Sequence, residues 1–212
     1  MILAAICVIV SGADAVPKVA PTHQSPATVA QVKMAIAEFG KTKNKGQLIK
    51  VLSKSLLDED AWIISLHASL LLGKEAESLD RQFGELLSDE NIIKKRAAAI
   101  VVAKLGLFPK KYVKQLVGML EESQEFGAAF NALVLYGKSG VPPLLDALGS
   151  AHNPVTQYWI LHIFEEMGAT ATASVPSVAR LTMSSSKMVR QKARRVLVTI
   201  VYDVIARNVP WQ

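Results

Sequence analysis

The sequence predicts an all-α protein whose helices form a regular stack, and two observations favour this fold class. Four glycines end apolar helical segments at intervals of 33, 31 and 31 residues, namely Gly73, Gly106, Gly137 and Gly168. Glycine commonly closes a helix because it adopts the left-handed conformation, and a fixed period of this length is typical of helical solenoids. No long segment alternates between apolar and polar side chains, so no strands are expected.

The first fifteen residues resemble a secretory signal peptide. An apolar run spans residues 2–10, and Ala13 and Ala15 fit the small-residue pattern of a cleavage site before Val16. The run is too short to cross a bilayer, and no basic side chain precedes it. Residues 1–15 therefore predict export, to a secreted or periplasmic location, with a cytoplasmic protein as the alternative. Three prolines in residues 16–26 predict an extended linker.

A helical domain is predicted over residues 27–212. Ser25 and Pro26 form a helix start, and the helix that follows ends at Gly40 and caps the stack. Five helix pairs are then expected. The first helices of the pairs are predicted at 46–57, 75–88, 110–122, 141–149 and 175–183. The second helices are predicted at 58–72, 89–105, 123–136, 153–167 and 186–206.

The last two pairs resemble a known repeat family. Residues 141–148 read VPPLLDAL and are followed by a polar turn and a helix ending at Gly168. This pattern is similar to the short HEAT repeats of phycobilin-lyase-like proteins, and residues 175–178, VPSV, resemble the next copy. The resemblance covers residues 46–206 and is strongest in the last two pairs. It implies a right-handed α-solenoid of about five antiparallel helix pairs, a macromolecule-binding role and no catalytic residue.

Charge changes sign in blocks about one repeat long. Residues 1–57, 58–90, 91–120, 121–166 and 167–212 carry net charges of +5, −7, +7, −5 and +6. Either neighbouring repeats attract one another, or the basic clusters face an acidic partner. In the second case they lie on the concave face that second helices line in HEAT-like stacks and contribute little to the core. The residues predicted to bind the partner are Lys94, Lys95, Arg96, Gln157, Arg190 and Arg194.

These features predict a non-enzymatic scaffold that binds a protein with an acidic surface. Two alternatives stay open: a nucleic-acid-binding repeat protein, including an enzyme similar to the alkylpurine DNA glycosylases, and an accessory subunit of a cofactor lyase. Nucleic acid is the weaker candidate because acidic blocks interrupt the basic ones and no aromatic side chains are interleaved with the basic residues for base stacking. Trp62 and Trp159 are predicted to pack in the core.

The sequence offers few groups for catalysis or metal binding. Its single cysteine, Cys7, lies in the N-terminal apolar run, so no thiol is expected in the folded domain. His162, Glu165 and Glu166 have a spacing that suits a metal ion, but no second His-Glu motif accompanies them. No catalytic residue, cofactor, metal or transmembrane anchor is therefore predicted.

Overall fold

The computed structural model describes residues 26–121 and 125–208, and all regular structure in those ranges is helical. The all-α prediction is thus confirmed for the described part of the chain. The predicted signal peptide and residues 16–25 of the predicted linker lie outside the described residues. Within the described ranges, no helix has the length and apolar character needed to cross a bilayer.

The helices follow the predicted order. The first, α1 (Pro26–Thr42), continues two residues past Gly40. The first helices of the predicted pairs are α2 (Lys45–Ser55), α4 (Asp80–Leu87), α6 (Pro109–Met119), α8 (Val141–Ser150) and α10 (Val175–Leu181). The second helices are α3 (Trp62–Ser69), α5 (Ile92–Leu105), α7 (Phe126–Leu135), α9 (Pro154–Met167) and α11 (Lys187–Asn208).

Two of the predicted helix ranges, 75–88 and 58–72, differ from the helices in the structure. The predicted helix 75–88 is a 3-10 helix, Gly73–Leu79, followed by α4. Similar 3-10 segments, Gly137–Gly140 and Gly168–Ser174, precede α8 and α10. The predicted helix 58–72 is shorter because the Asp58 carboxylate accepts hydrogen bonds from the backbone N–H groups of Asp60 and Ala61, which makes a turn before α3.

Asparagine side chains fix where several helices begin. Asn91 and Asn153 accept hydrogen bonds of 2.9 Å from the N–H groups of Ile93 and Val155, at the starts of α5 and α9. Asn44 caps α2 in the same way. Such caps satisfy N–H groups that have no partner within the helix.

The four recurring glycines all have positive φ, as the prediction of left-handed caps requires; Gly106 is left-handed helical, whereas Gly168, with ψ −130°, is not. Their φ angles are all positive, at +61°, +65°, +55° and +52° for Gly73, Gly106, Gly137 and Gly168. Each lies between a second helix and the start of the next pair. The chain can therefore reverse direction at these points without the steric penalty that a Cβ atom would impose.

Contacts among the second helices follow sequence order. Helix α5 contacts α3 and α7, and α9 contacts α7 and α11. Elsewhere, α6 contacts α8, α2 contacts the 3-10 helix Gly73–Leu79, and α1 packs against α2 and α3. Large buried side chains form the core, among them Leu48, Leu66, Phe83, Tyr112 and Phe164. Burial of this apolar surface is the main force that holds the helices together.

Candidate binding surface

Two of the basic residues predicted to bind a partner form ion pairs within the protein. Lys94 is only 5% exposed, and its ammonium lies 3.1 Å from Glu59 Oε1 and 3.6 Å from Asp89 Oδ2. Lys95 donates a 2.6 Å hydrogen bond to Glu125. The expectation that these lysines contribute little to the core is wrong for Lys94. The physical reason is that acidic side chains in the turns before neighbouring second helices lie within reach of α5.

The other four predicted residues divide into two groups. Arg190 donates to the carbonyl oxygens of Ser184 and Ser185, both at 2.7 Å, and so secures the turn before α11. Gln157 donates to the Ala151 carbonyl at 2.7 Å. Arg96 and Arg194 are exposed, on α5 and α11. Of the six residues, these two have side chains that are most accessible to a partner.

Ion pairs between residues about 30 positions apart recur along the chain. The bonded residues are 27 to 35 positions apart in sequence, which is about one repeat. They are Lys94–Glu59, Lys95–Glu125, Lys111–Asp80, Lys192–Glu165 and Arg195–Glu165. These pairs correspond to the first interpretation of the charge blocks, in which neighbouring repeats attract one another. Exposed pairs of this kind stabilise a protein by about 1 kcal/mol at most. Removing one partner of a buried pair costs more, because the other charge is left buried without a partner.

Glu165 connects α9 to α11. Its carboxylate accepts hydrogen bonds from Lys192 Nζ and from Arg195 Nε and Nη2, the latter two at 2.8 and 3.1 Å. Burial by itself would raise the pKa of Glu165, but the hydrogen bonds and charges of Arg195 and Lys192 outweigh it and lower the pKa to about 2. The carboxylate is therefore ionised at neutral pH, and it neutralises Lys192, which is 3% exposed.

Five ring side chains lie together on α7 and α9, and we refer to them as the aromatic cluster. They are Phe126, Phe130, Tyr158, Trp159 and His162. The rings of Phe126 and Trp159 are 4.4 Å apart between centroids, and those of Phe130 and His162 are 5.0 Å apart. All five are half-buried. The cluster thus combines fixed positions with accessible ring surface.

The ion pairs of Glu165 border the aromatic cluster. The Lys192 ammonium lies 5.1 Å from the centroid of the Tyr158 ring, a favourable arrangement for a cation and an aromatic face. His162 belongs to the cluster and lies one turn before Glu165. The aromatic cluster therefore packs against the core and lies beside the ion pairs of Glu165.

Trp62 and Trp159, which were predicted to pack in the core, are both half-buried. Trp159 packs against the core as predicted, but it stays half-buried and joins rings from α7. Trp62 also packs against the core and is half-buried. Sequence reasoning missed the cluster, although a signal was present. Phe126 and Trp159 are separated by about one repeat, as are Phe130 and His162, and this spacing is the signal that would have predicted a contact between neighbouring second helices.

His162 does not form the metal site that its spacing would allow. Its Nδ1 atom is buried and has no hydrogen-bond partner among the described residues, and Glu165 Oε2 lies 3.3 Å away without hydrogen-bond geometry. In residues 26–121 and 125–208, no group of three or more His, Cys, Asp or Glu side chains is arranged to hold a metal ion. Glu165 is bonded to cations, which leaves His162 as a ring of the aromatic cluster.

Two shallow cavities, of about 260 and 440 Å³, open between α1 and α2 and share Gln31, Gln47 and Val51 in their walls. Both are open to solvent and carry no group of titratable side chains suited to catalysis. The aromatic cluster is therefore a better candidate for a binding surface than these two cavities.

Comparison with known proteins gives no independent assignment. No family model matches the chain, and no curated protein matches it. The resemblance to HEAT repeats stays a prediction that rests on the residues themselves.

Proposed function

We propose that the chain is a non-enzymatic scaffold that binds a protein partner on the surface formed by its second helices. The observation that carries this proposal is the aromatic cluster on α7 and α9. Aromatic side chains dominate the energetics of protein interfaces because they bury a large area and lose little conformational entropy. Here five such side chains are preorganised by mutual contacts and stay accessible.

The proposed architecture is a right-handed HEAT-like solenoid of about five antiparallel helix pairs, with α1 as its cap. Sequential contacts between second helices support it, because each of α5, α7 and α9 contacts the second helix before it and the second helix after it. The positive φ angles at the four recurring glycines and the ion pairs between residues one repeat apart also support it. A stack of this kind presents equivalent positions of successive helices side by side along one surface.

An acidic partner surface remains part of the proposal. Arg194 is exposed on α11, and Arg195, beside it, keeps most of its side chain accessible while it bonds Glu165. Both lie on the helix that supplies Lys192 to the edge of the aromatic cluster. Basic groups at the rim of an interface accelerate association with an acidic partner more than they increase its affinity. Lys94 is excluded from this role because it is buried.

Of the two other functions, nucleic-acid binding differs from the proposal in its dependence on salt. A nucleic-acid-binding protein loses affinity steeply as salt increases, because bound counterions are released from the phosphates. An accessory subunit of a cofactor lyase binds its partner subunit whether or not nucleic acid is present. Duplex and single-stranded DNA titrated at two salt concentrations separate the first of these functions from the proposal.

Truncating Trp159 to alanine is expected to weaken partner binding at least tenfold, because the residue is central to the aromatic cluster. Trp62→Ala is the matched control, since Trp62 is also half-buried against the core but lies on α3. The partner is first captured with wild-type protein, identified and purified, and its dissociation constant is then measured for each variant by calorimetry. Equal affinities for the two variants, with both folded by circular dichroism, would rule out the aromatic cluster as the binding surface.

A further inference from the structure

His162 has a buried nitrogen that forms no hydrogen bond with any described residue. This atom, Nδ1, is shielded from solvent, although the side chain as a whole is 28% exposed. In a neutral imidazole one nitrogen donates and the other accepts, so Nδ1 is left unsatisfied in either tautomer. A buried polar atom without a partner costs free energy, and such atoms are rare enough in proteins to require an explanation.

Two carboxylates of α9 lie beside this nitrogen. Glu165 Oε2 is 3.3 Å from Nδ1, and Glu166 Oε1 is 3.9 Å from it. Glu165 stays ionised at every pH at which histidine titrates, because its pKa is about 2. Protonation of His162 would therefore turn an unsatisfied buried atom into a donor that faces two acidic side chains.

The charges that surround His162 come from α9 and α11. Helix α9 packs against α7, α8, α11 and the 3-10 helix Gly168–Ser174. Of these, α7 and the 3-10 helix have no titratable side chain, and Asp146 of α8 is exposed. The charged groups around the imidazole are Glu165, Glu166, Lys192 and Arg195, and the nearest phenol is that of Tyr158. Two carboxylates and two cations sum to zero, so protonation of His162 gives this group a net charge of +1.

The imidazole is also part of the aromatic cluster. Its ring is stacked on that of Trp159, with an angle of 23° between the planes and 5.9 Å between the centroids. The Phe130 ring lies 5.0 Å away on the other side of the contact between α7 and α9. A cation is favourable beside aromatic rings of this kind. A charge on His162 would therefore lie within the surface that we assign to the partner.

We propose that protonation of His162 strengthens binding at the aromatic cluster, so that the scaffold holds its acidic partner more tightly as the pH falls. The inference rests on the proposed function and adds its regulation. Histidine changes charge between about pH 5 and 8, while the aspartates and glutamates of a partner stay ionised in that range. The protonated form binds better, so binding takes up a proton, and by linkage the affinity increases as the pH falls.

Desolvation opposes this effect, but the position of Nδ1 limits it. A partner that covers a charged group disfavours the charged form. Nδ1 is already buried in the free protein, so a partner removes little further water from the proton that it gains. Glu165 and Glu166 stay beside that proton. The expected gain is that of one additional charge pair at a partly exposed site, about fivefold in affinity.

A random copolymer of glutamate and tyrosine is a suitable probe, because it has the negative charge and the apolar rings that the surface is proposed to bind. Its dissociation constant for the full chain is measured by calorimetry at about pH 5.5 and 7.5, on either side of the usual histidine titration. The wild type should bind about fivefold more tightly at the lower pH. His162→Gln should remove this difference because glutamine does not titrate.

His67 provides the matched control. It is also half-buried on a second helix, but it lies on α3 and outside the aromatic cluster. His67→Gln should therefore keep the full difference between the two pH values. NMR of the imidazole nitrogens in the wild type, without the probe, adds a readout that a purely structural role would not change. Protonation of His162 should shift the indole resonance of Trp159 with the same midpoint, because the two rings are stacked.

Three outcomes would overturn the inference: a His162 ring whose charge does not change between the two pH values, a pH difference that His162→Gln retains, and a copolymer that the wild type binds at neither pH. Failure of the proposed function gives a different result. If Trp159→Ala weakens binding at both pH values while His162→Gln keeps the pH difference, only the regulation is wrong. If Trp159→Ala binds the copolymer as the wild type does at both pH values, the aromatic cluster is not the binding surface.

Discussion

Replacing Glu165 with alanine is expected to lower the free energy of unfolding by about 3 kcal/mol. The change removes the carboxylate that accepts hydrogen bonds from Lys192 and Arg195. Lys192 is almost completely buried, so its charge would be left without a partner in a poorly solvated position. Urea denaturation followed by circular dichroism gives the change directly.

The neighbouring residue provides the matched control. Glu166 is exposed, and its nearest basic atom, His162 Nδ1, is 3.9 Å away. Glu166→Ala should therefore change the stability by less than about 0.5 kcal/mol. If the two alanine variants had the same stability, Glu165 would not be the residue that joins α9 to α11.

The contribution of Glu165 should also depend on pH in a defined direction. Its pKa falls from 4.5 to about 2 in the folded protein, so the folded state favours the ionised form. The stabilisation is fully present above pH 4.5 and is lost as the pH falls towards 2. The difference in stability between the wild type and Glu165→Gln should shrink over the same interval, which urea denaturation at a series of pH values measures.

The second large effect is expected at Gly168, where alanine should cost about 2 kcal/mol or more. Gly168 has φ +52° and ψ −130°, a conformation that residues with a Cβ atom rarely adopt. An added Cβ would also collide with the Asp203 carboxylate of α11. The substitution therefore strains the backbone and displaces a side chain at the contact between α9 and α11. Thermal and urea denaturation measure the loss.

Two other glycines separate backbone strain from collision. Gly106 also has a positive φ, but a Cβ there would meet no atom within 4 Å, so Gly106→Ala should cost only about 1 kcal/mol. Gly118 lies in α6 with equally open surroundings and no positive φ, and Gly118→Ala should be neutral or slightly stabilising. A Gly168→Ala variant as stable as Gly106→Ala would show that the collision with Asp203 does not matter.

The order of helices could be predicted from sequence because glycine at the end of an apolar segment acts within a few residues. The asparagine caps before α5 and α9 are equally local, but the sequence analysis did not use them. The 3-10 segment Gly73–Leu79 was missed because its apolar spacing resembles that of the α-helix that follows. Distinguishing the two requires knowing which backbone carbonyl each N–H reaches, and side-chain periodicity does not report that.

The surface was harder to predict because its determinants are separated by one repeat. A cluster such as Lys94 and Lys95 looks free in sequence, yet the carboxylates that bind it come from Glu59 and Glu125, 35 and 30 residues away. The alternating charge blocks contained this information, but they did not show which residue of a block would be buried. The aromatic cluster was missed for the same reason, since its rings come from two helices.

Native-state hydrogen exchange on the Glu165→Ala variant is the most direct test of the proposed stack. In a linear array each pair touches only its neighbours, so the effect of a local change decays along the chain. The free energy of opening should fall for amides of α9, α10 and α11 and stay at the wild-type value for those of α2, α3 and α4. An equal loss of protection in every helix would mean that the chain folds around a single cooperative core, and it would contradict the solenoid.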